Sequence, residues 1–493
     1  MAEQVPILER ANAPLSLWRK ALFGCTGVVE NTKYQIYEFF LIFYYAQVLG
    51  LAGSLAGAAV ASAIIVDVIA DPLIGSFSDS LRGRFGRRHT LMYLAILPTG
   101  IFVYLLFAAP SGLSQAELFS WLLINCIAVR IAGSFYAVPA AAVAAELSDN
   151  DRERASLGVW RQAVAAVVQA ILTWLIFHAA FLATNRFPRG QENPANYPKF
   201  ALLVAGVIIL CSLLGALATR KPIAAFESER LVGKPRAFTV VDSIAATWRA
   251  LVDLPNFRAL FVGLVFAGVM GSYFRSLNLH LGTYFWGLST QQTGSWLLVS
   301  QIAMFCTAIG CRFAVGRVEP KMLYWSGVAG MLLAFVLPPL LRLLDWLPAN
   351  GAPLLTVILY AFNVMVGGAT GMIMACSLVL FAEAADEYAF EKHESRTGML
   401  LAFLPLGNKV ASSIGKLLAG VIIQWVALPL GQPARAASAT SLHQLGVASV
   451  SVTMVAGILA LYFFSRFRIT RARQSEIRRG LIAMRADGTI SQS

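Results

Sequence analysis

Charged residues are scarce in this 493-residue chain: Asp, Glu, Lys and Arg together make up 13% of it, against about 25% in a typical soluble domain. That shortage excludes an ordinary soluble globular protein. Only six cysteines occur (Cys25, Cys126, Cys211, Cys306, Cys311 and Cys376). All lie in or beside apolar segments and none has zinc-site or CxxC spacing, so they read as packing residues. Walker A, HExxH and GxSxG sequences are missing, which leaves ATP-driven pumping and the common hydrolase chemistries without a site. Met1 to Ser16 lacks the basic start, short apolar core and cleavage site of a signal peptide. The first membrane span is therefore expected to serve as its own insertion signal.

What the chain does have is apolar length. Hydrophobic residues make up 58% of it and the mean hydropathy is +0.67, which predicts a polytopic, all-α integral membrane protein. A window of about 19 residues finds spans near 22–50, 54–79, 89–109, 118–145, 157–183 and 200–219, then 257–286, 292–314, 322–345, 353–383, 397–428 and 443–466. The expectation is about twelve transmembrane helices in two six-helix bundles around a central cavity: residues 1–219, a cytoplasmic linker 220–255, residues 256–466, and a basic cytoplasmic tail 467–493. Residues 240–251 of the linker read as a helix lying on the membrane surface.

The net charge of +13 reads as topological and not as a nucleic-acid footprint, because cytoplasmic loops collect Lys and Arg. The loops with Arg82, Arg84, Arg87 and Arg88, with Arg152 and Arg154, with Arg220 to Arg236, with Arg317 and Lys321, and with Lys392 and Arg396 form the rich set. That set is placed in the cytoplasm with both termini. The predicted location is a bacterial inner membrane, and the tail is expected to meet anionic lipid headgroups.

Against this background Asp67 and Asp71 stand out, inside an otherwise almost wholly apolar stretch. A carboxylate at membrane depth costs about 2.5 to 3.5 kcal/mol on insertion scales. At i and i+4 the two side chains share one helical face, so they form one candidate site for a cation or a proton. The segment from Gly75 through Asp79, Gly86, Arg87 and Arg88 closes that helix and opens the next. It resembles the loop signature of the major facilitator superfamily, in which such charges latch one state of a rocking carrier.

The run Asp67-Val68-Ile69-Ala70-Asp71-Pro72 resembles the second-helix motif of the melibiose-permease-like glycoside-pentoside-hexuronide:cation symporters. Supporting pieces follow in order: Phe43-Tyr44-Tyr45, Glu146 through Arg154, Arg161, Ala384 through Tyr388, and Lys409. The resemblance spans nearly the whole chain. It implies cation binding by Asp67 and Asp71, with Ser134 at the position of the family's helix-four hydroxyl. The family's intervening amide is Ala70 here. Sodium needs several oxygen ligands whereas a proton needs one carboxylate, so both ions stay open with the proton favoured. Lys409 aligns with the family's helix-eleven lysine, read as buried near mid-helix and as the partner of Asp67 or Asp71 in a coupling switch.

The solute site departs from the family's galactoside pattern. The family's helix-one acid is Asn31 here, flanked by Glu30, and its helix-four acid is Ala137, while Arg161 is kept and Trp160 offers a stacking face. Lys33, Glu38 and Arg130 add mixed charge. Arg130 is read either as a solute ligand or, in preference, as paired with an acid such as Glu30 or Glu38. Arg275 and His280 in helix seven complete the charged set, and His280 reads as a structural residue. These residues imply symport of a small organic solute, a sugar, glycoside or hexuronide, by alternating access, with a lysophospholipid or other amphiphile as the alternative. A membrane-embedded enzyme or accessory protein is the alternative of another class. Apart from a coupling ion no cofactor or metal is expected. The expected partners are the solute and membrane lipids, with no nucleic acid, and the protein is expected to be a monomer.

Overall fold

The computed structural model describes residues 15–81, 86–147, 150–227, 254–314, 317–393, 397–429 and 436–486. The predicted surface helix at 240–251 lies outside them. Eleven helices among the described residues are long and apolar enough to cross a membrane. The first expected span precedes them as α1, a helical run over residues 17–48. It is built from helices Leu17–Gly24 and Val28–Gln35 joined by a 3-10 turn, and it continues through π turns Ile36–Phe40 and Phe43–Val48.

The long helices are α2 (Gly53–Ser80), α3 (Arg87–Phe107), α4 (Gln115–Glu146), α5 (Asp151–Leu175) and α6 (Tyr197–Glu227), followed by α7 (Pro255–His280), α8 (Thr290–Ala314) and α9 (Pro320–Leu343). Then come α10 (Pro353–Lys392), α11 (Phe403–Val426) and α12 (Ala439–Ser465). Polar side chains at the ends set several starts. Ser114 and Glu117 form a reciprocal capping box on α4, and Asn150 accepts from the Arg152 N–H to open α5.

Two compact units emerge: Met1–Leu51 with Ser62–Ala237, and Ala52–Ala61 with Phe238–Ser493. In the first, α1 lies directly on α5 because two positions of α1 carry no side chain. A Cβ on Gly24 would sit 2.5 Å from Val164 Cγ2, and one on Gly27 would sit 2.7 Å from the Arg161 carbonyl oxygen. The Phe43-Tyr44-Tyr45 motif then docks the far end of α1. The Tyr44 and Tyr45 hydroxyls donate to the Phe107 and Leu106 carbonyls at 3.1 and 2.7 Å. Those carbonyls belong to the last turn of α3, which has no intrahelical donors left for them.

In the second unit α7 packs on α9 through Phe274 and Phe335, stacked with centroids 4.0 Å apart. The basic tail contains α13 (Arg471–Ala486), which docks on the end of α10. Ile477 and Leu481 are buried with Ala389, beside Phe390, and Gln474 donates to Asp386 Oδ2 at 2.8 Å.

Candidate cation and solute site

Asp67 and Asp71 both project from α2, and the structure treats them differently. Asp67 is 1% exposed and both its oxygens are engaged. Oδ2 accepts from Arg130 Nη1 at 2.9 Å and Oδ1 accepts from Ser134 Oγ at 3.0 Å. Arg130 and Ser134 are four apart on α4, so one face of that helix presents both donors to one carboxylate. Asp71, one turn on, is half-buried. Pro72 follows it and supplies no N–H, which leaves the Val68 carbonyl without its usual intrahelical donor.

Arg130 is thus paired with an acid, but the acid is Asp67 and not Glu30 or Glu38, the two named as examples from the sequence. Its guanidinium carbon also lies 4.2 Å from the centroid of the Tyr37 ring, an attractive cation-π geometry. The Tyr37 hydroxyl donates to the Cys126 carbonyl at 2.7 Å, which fixes the ring. Glu30 pairs instead with Lys33, at 3.0 Å one turn along α1. Lys33 is buried and lies over α4, where a Cβ on Gly133 would be 3.3 Å from Lys33 Cδ. The Asp67–Arg130 pair joins α2 to α4, Tyr37 and Lys33 bring α1 onto the same stretch of α4, and Arg161 of α5 packs against α1 at Gly27.

The remaining predicted solute residues lie on α1 and α5. Asn31 Nδ2 lies 3.5 Å from Gln162 Oε1 across α1 and α5, Trp160 and Arg161 are half-buried on α5, and Glu38 is buried on α1. His280 is fully buried at the end of α7, where a structural role is expected.

The position expected for Lys409 needs one correction. The helix that carries it breaks at Ala402, so Lys409 is the seventh residue of α11 and half-buried, not central and buried. The buried lysine of α11 is Lys416, two turns later, at 0% exposure and bonded to Ser412 Oγ at 2.6 Å and Ser272 Oγ at 3.2 Å. Sequence reasoning passed over Lys416. The available signal was its seven-residue offset from Lys409, which puts both on one face.

Among the residues of the expected loop latch, Arg88 pairs with two carboxylates. Its Nη2 lies 3.2 Å from Asp79 Oδ1 and its Nε donates to Glu146 Oε1 at 2.6 Å. One guanidinium thus ties the ends of α2 and α4 to the start of α3. Gly86 has φ of +91°, a left-handed conformation that favours glycine just before α3. Gly75 is half-buried in α2. Residues 82–85 and the Arg87 side chain lie outside the described set. In the first turn of α5 Glu153 accepts from Lys20 Nζ and from the Leu15 N–H, both at 2.9 Å, and so holds the start of α1.

A sequence profile of the family described as MFS/sugar transport protein matches residues 22–471. Among curated proteins, the isoprimeverose transporter of Lactiplantibacillus pentosus is 22% identical over 80% of this chain and 77% of its own length. An uncharacterized symporter of Synechocystis is 23% identical over 96% of this chain and 97% of its own. A glucuronide carrier protein homolog of Escherichia coli is 22% identical over 39% and 42%. Among solved structures, the nucleoside transporter NupG superposes with a TM-score of 0.59 at 13% identity, covering 92% of this chain and all of that one. A D-xylose-proton symporter gives 0.55 at 15%, covering 89% and 94%. These structures share the fold of the chain.

Proposed function

Because the chain belongs to the MFS/sugar transport protein family, and so is a membrane transporter and not an enzyme, we propose that it is a cation-coupled symporter of a sugar, glycoside or hexuronide. The observation that carries the coupling is Asp67, a carboxylate 1% exposed inside a membrane helix, with Asp71 one turn away on the same face. Such a pair costs insertion energy and belongs to an ion pathway by default.

The solute reading rests on the charge cluster of Glu30, Lys33, Arg130 and Arg161, with Asn31 and Trp160 beside it. Cations and acids facing one another suit hydroxyl groups, and a guanidinium suits a solute carboxylate. Relatives named as an isoprimeverose transporter and a glucuronide carrier homolog support that class. The proton is the preferred coupling ion, because Ala70 offers no side-chain oxygen between the two acids. The ion binds from outside with the solute, and both are released to the cytoplasm, where the basic loops and both termini lie. Each ligand must then raise the affinity for the other by the same factor.

The test is uptake into proteoliposomes of radiolabelled methyl glucuronide and of a xylose-containing disaccharide, under an imposed proton or sodium gradient. Accumulation of at least one above equilibrium, collapsed by a matching ionophore, is expected. Equal uptake with and without a gradient for both would refute coupling.

A further inference from the structure

Arg130 sits where a coupling ion would have to bind. Its Nη1 is 2.9 Å from Asp67 Oδ2 while Ser134 holds the other oxygen at 3.0 Å. An ion that binds Asp67 therefore meets a position already filled by a cation. We propose that Arg130 is a tethered counter-cation that occupies the ion position on Asp67 between cycles and is displaced by the incoming ion. The proposal rests on the coupling role of Asp67 argued above.

Three observations support exchange over a fixed structural pair. First, Arg130 Nε is buried and has no hydrogen-bond partner among the described residues. The guanidinium thus uses its donors incompletely in this position, an arrangement that costs stability when permanent. Second, the Tyr37 ring, 4.2 Å from the guanidinium carbon, gives the group a second foothold, and the hydroxyl's bond to Cys126 keeps that ring in place. A short swing on this ring breaks the ion pair without sending the charge into bare hydrocarbon. Third, Glu30 pairs with Lys33, which lies against Gly133 three residues from Arg130, and its side chain is 50% exposed. It offers the released guanidinium an acid on the solute side of the cluster.

The proton balance is simple. When the coupling ion is a proton, it adds to Asp67 Oδ2, the carboxylate becomes a neutral acid, and the guanidinium keeps its charge but loses its anionic partner. Sodium would displace Arg130 by direct repulsion with the same result. In either case ion binding turns a neutralised arginine into an available one beside the solute residues Glu30 and Lys33. Arg130 then acts as a positioning residue that makes solute affinity depend on the ion, which the geometry of Asp67 alone does not explain.

The test uses the full-length purified protein in detergent and reads thermal unfolding against ion concentration. In one arm NaCl replaces choline chloride at pH 8; in the other, pH falls from 8 to 5 in choline chloride. For the ion that stabilises the protein, Arg130→Gln is expected to lower the half-maximal concentration at least tenfold, because the internal competitor is gone. Arg130→Lys, which keeps a cation but loses the planar fork, is expected to shift it in the same direction by less. It also keeps the test alive where Arg130→Gln does not fold. An ion response in Arg130→Gln where the wild type has none would equally support the proposal. Half-maximal concentrations unchanged or raised in both variants would overturn it. Asp67→Asn separates the two readings. Loss of its ion response together with unchanged Arg130 variants defeats only the counter-cation, whereas a full response in Asp67→Asn, or none in any protein, defeats the coupling reading as well.

Discussion

Asp67 and Asp71 stand one turn apart on α2, yet only Asp67 has its two oxygens tied to one neighbouring helix, through Arg130 at 2.9 Å and Ser134 at 3.0 Å. Two acids that look equivalent in sequence therefore carry different loads. The first carries a structural pairing with α4 as well as its proposed role in ion binding, and the second is half-buried. The variants at these positions should part accordingly.

Asp67→Asn strands a guanidinium whose side chain is 10% exposed. Breaking such a buried pair from one side is expected to cost about 3 kcal/mol, and Asp71→Asn less. Adding Arg130→Gln to Asp67→Asn should recover much of the loss, since the stranded charge is then removed. Thermal unfolding of the three proteins checks the order.

Arg88 holds two carboxylates with its own side chain 13% exposed and that of Glu146 14% exposed. Arg88→Gln is expected to cost about 2 kcal/mol, below the full cost of a wholly buried pair, and Glu146→Gln a similar amount. Asp79→Asn should cost less than about 1 kcal/mol, because the Asp79 side chain is 46% exposed and solvent screens its pairing. Unfolding midpoints of the three variants give the comparison.

A Cβ at Gly133 would meet Lys33 Cδ at 3.3 Å. Alanine there should be tolerated, since the long lysine side chain can move. Gly133→Val is expected to push Lys33 off α4 and weaken solute binding roughly tenfold while the fold survives. The observable is the half-saturating concentration in counterflow, compared with the unfolding midpoint.

The α13 helix leaves no room at Gly480, where a side chain would enter the Phe390 ring. Gly480→Leu should undock α13 and expose the sites after Arg478 and Arg479 to trypsin. Cleavage there should speed at least tenfold over the wild type. An unchanged digestion rate would mean that the tail is not held by this contact.

Much of this was legible in the sequence because membrane helices are written in uninterrupted hydropathy. The expected span 54–79 became Gly53–Ser80, and 322–345 became Pro320–Leu343. Helix rotation was not legible. The charge of Arg130 could be read, but its choice of Asp67 over Glu30 depends on how α4 turns toward α2, which a single chain does not encode locally. The break at Ala402 was hidden for a related reason. Apolar residues continue through Leu401, Ala402 and Phe403, so hydropathy alone runs straight across the interruption. The docking of α13 depends on Ile477 and Leu481, two apolar residues masked in a segment dominated by arginine.

The most direct measurement is gradient-driven accumulation of a transported glycoside or glucuronide in proteoliposomes, compared between wild type and Asp67→Asn in preparations matched for folded protein. The wild type should concentrate the solute and lose that ability when the ion gradient is collapsed, while Asp67→Asn should fail to concentrate it at all. Undiminished, ion-dependent accumulation by Asp67→Asn would contradict the assignment of coupling to this carboxylate.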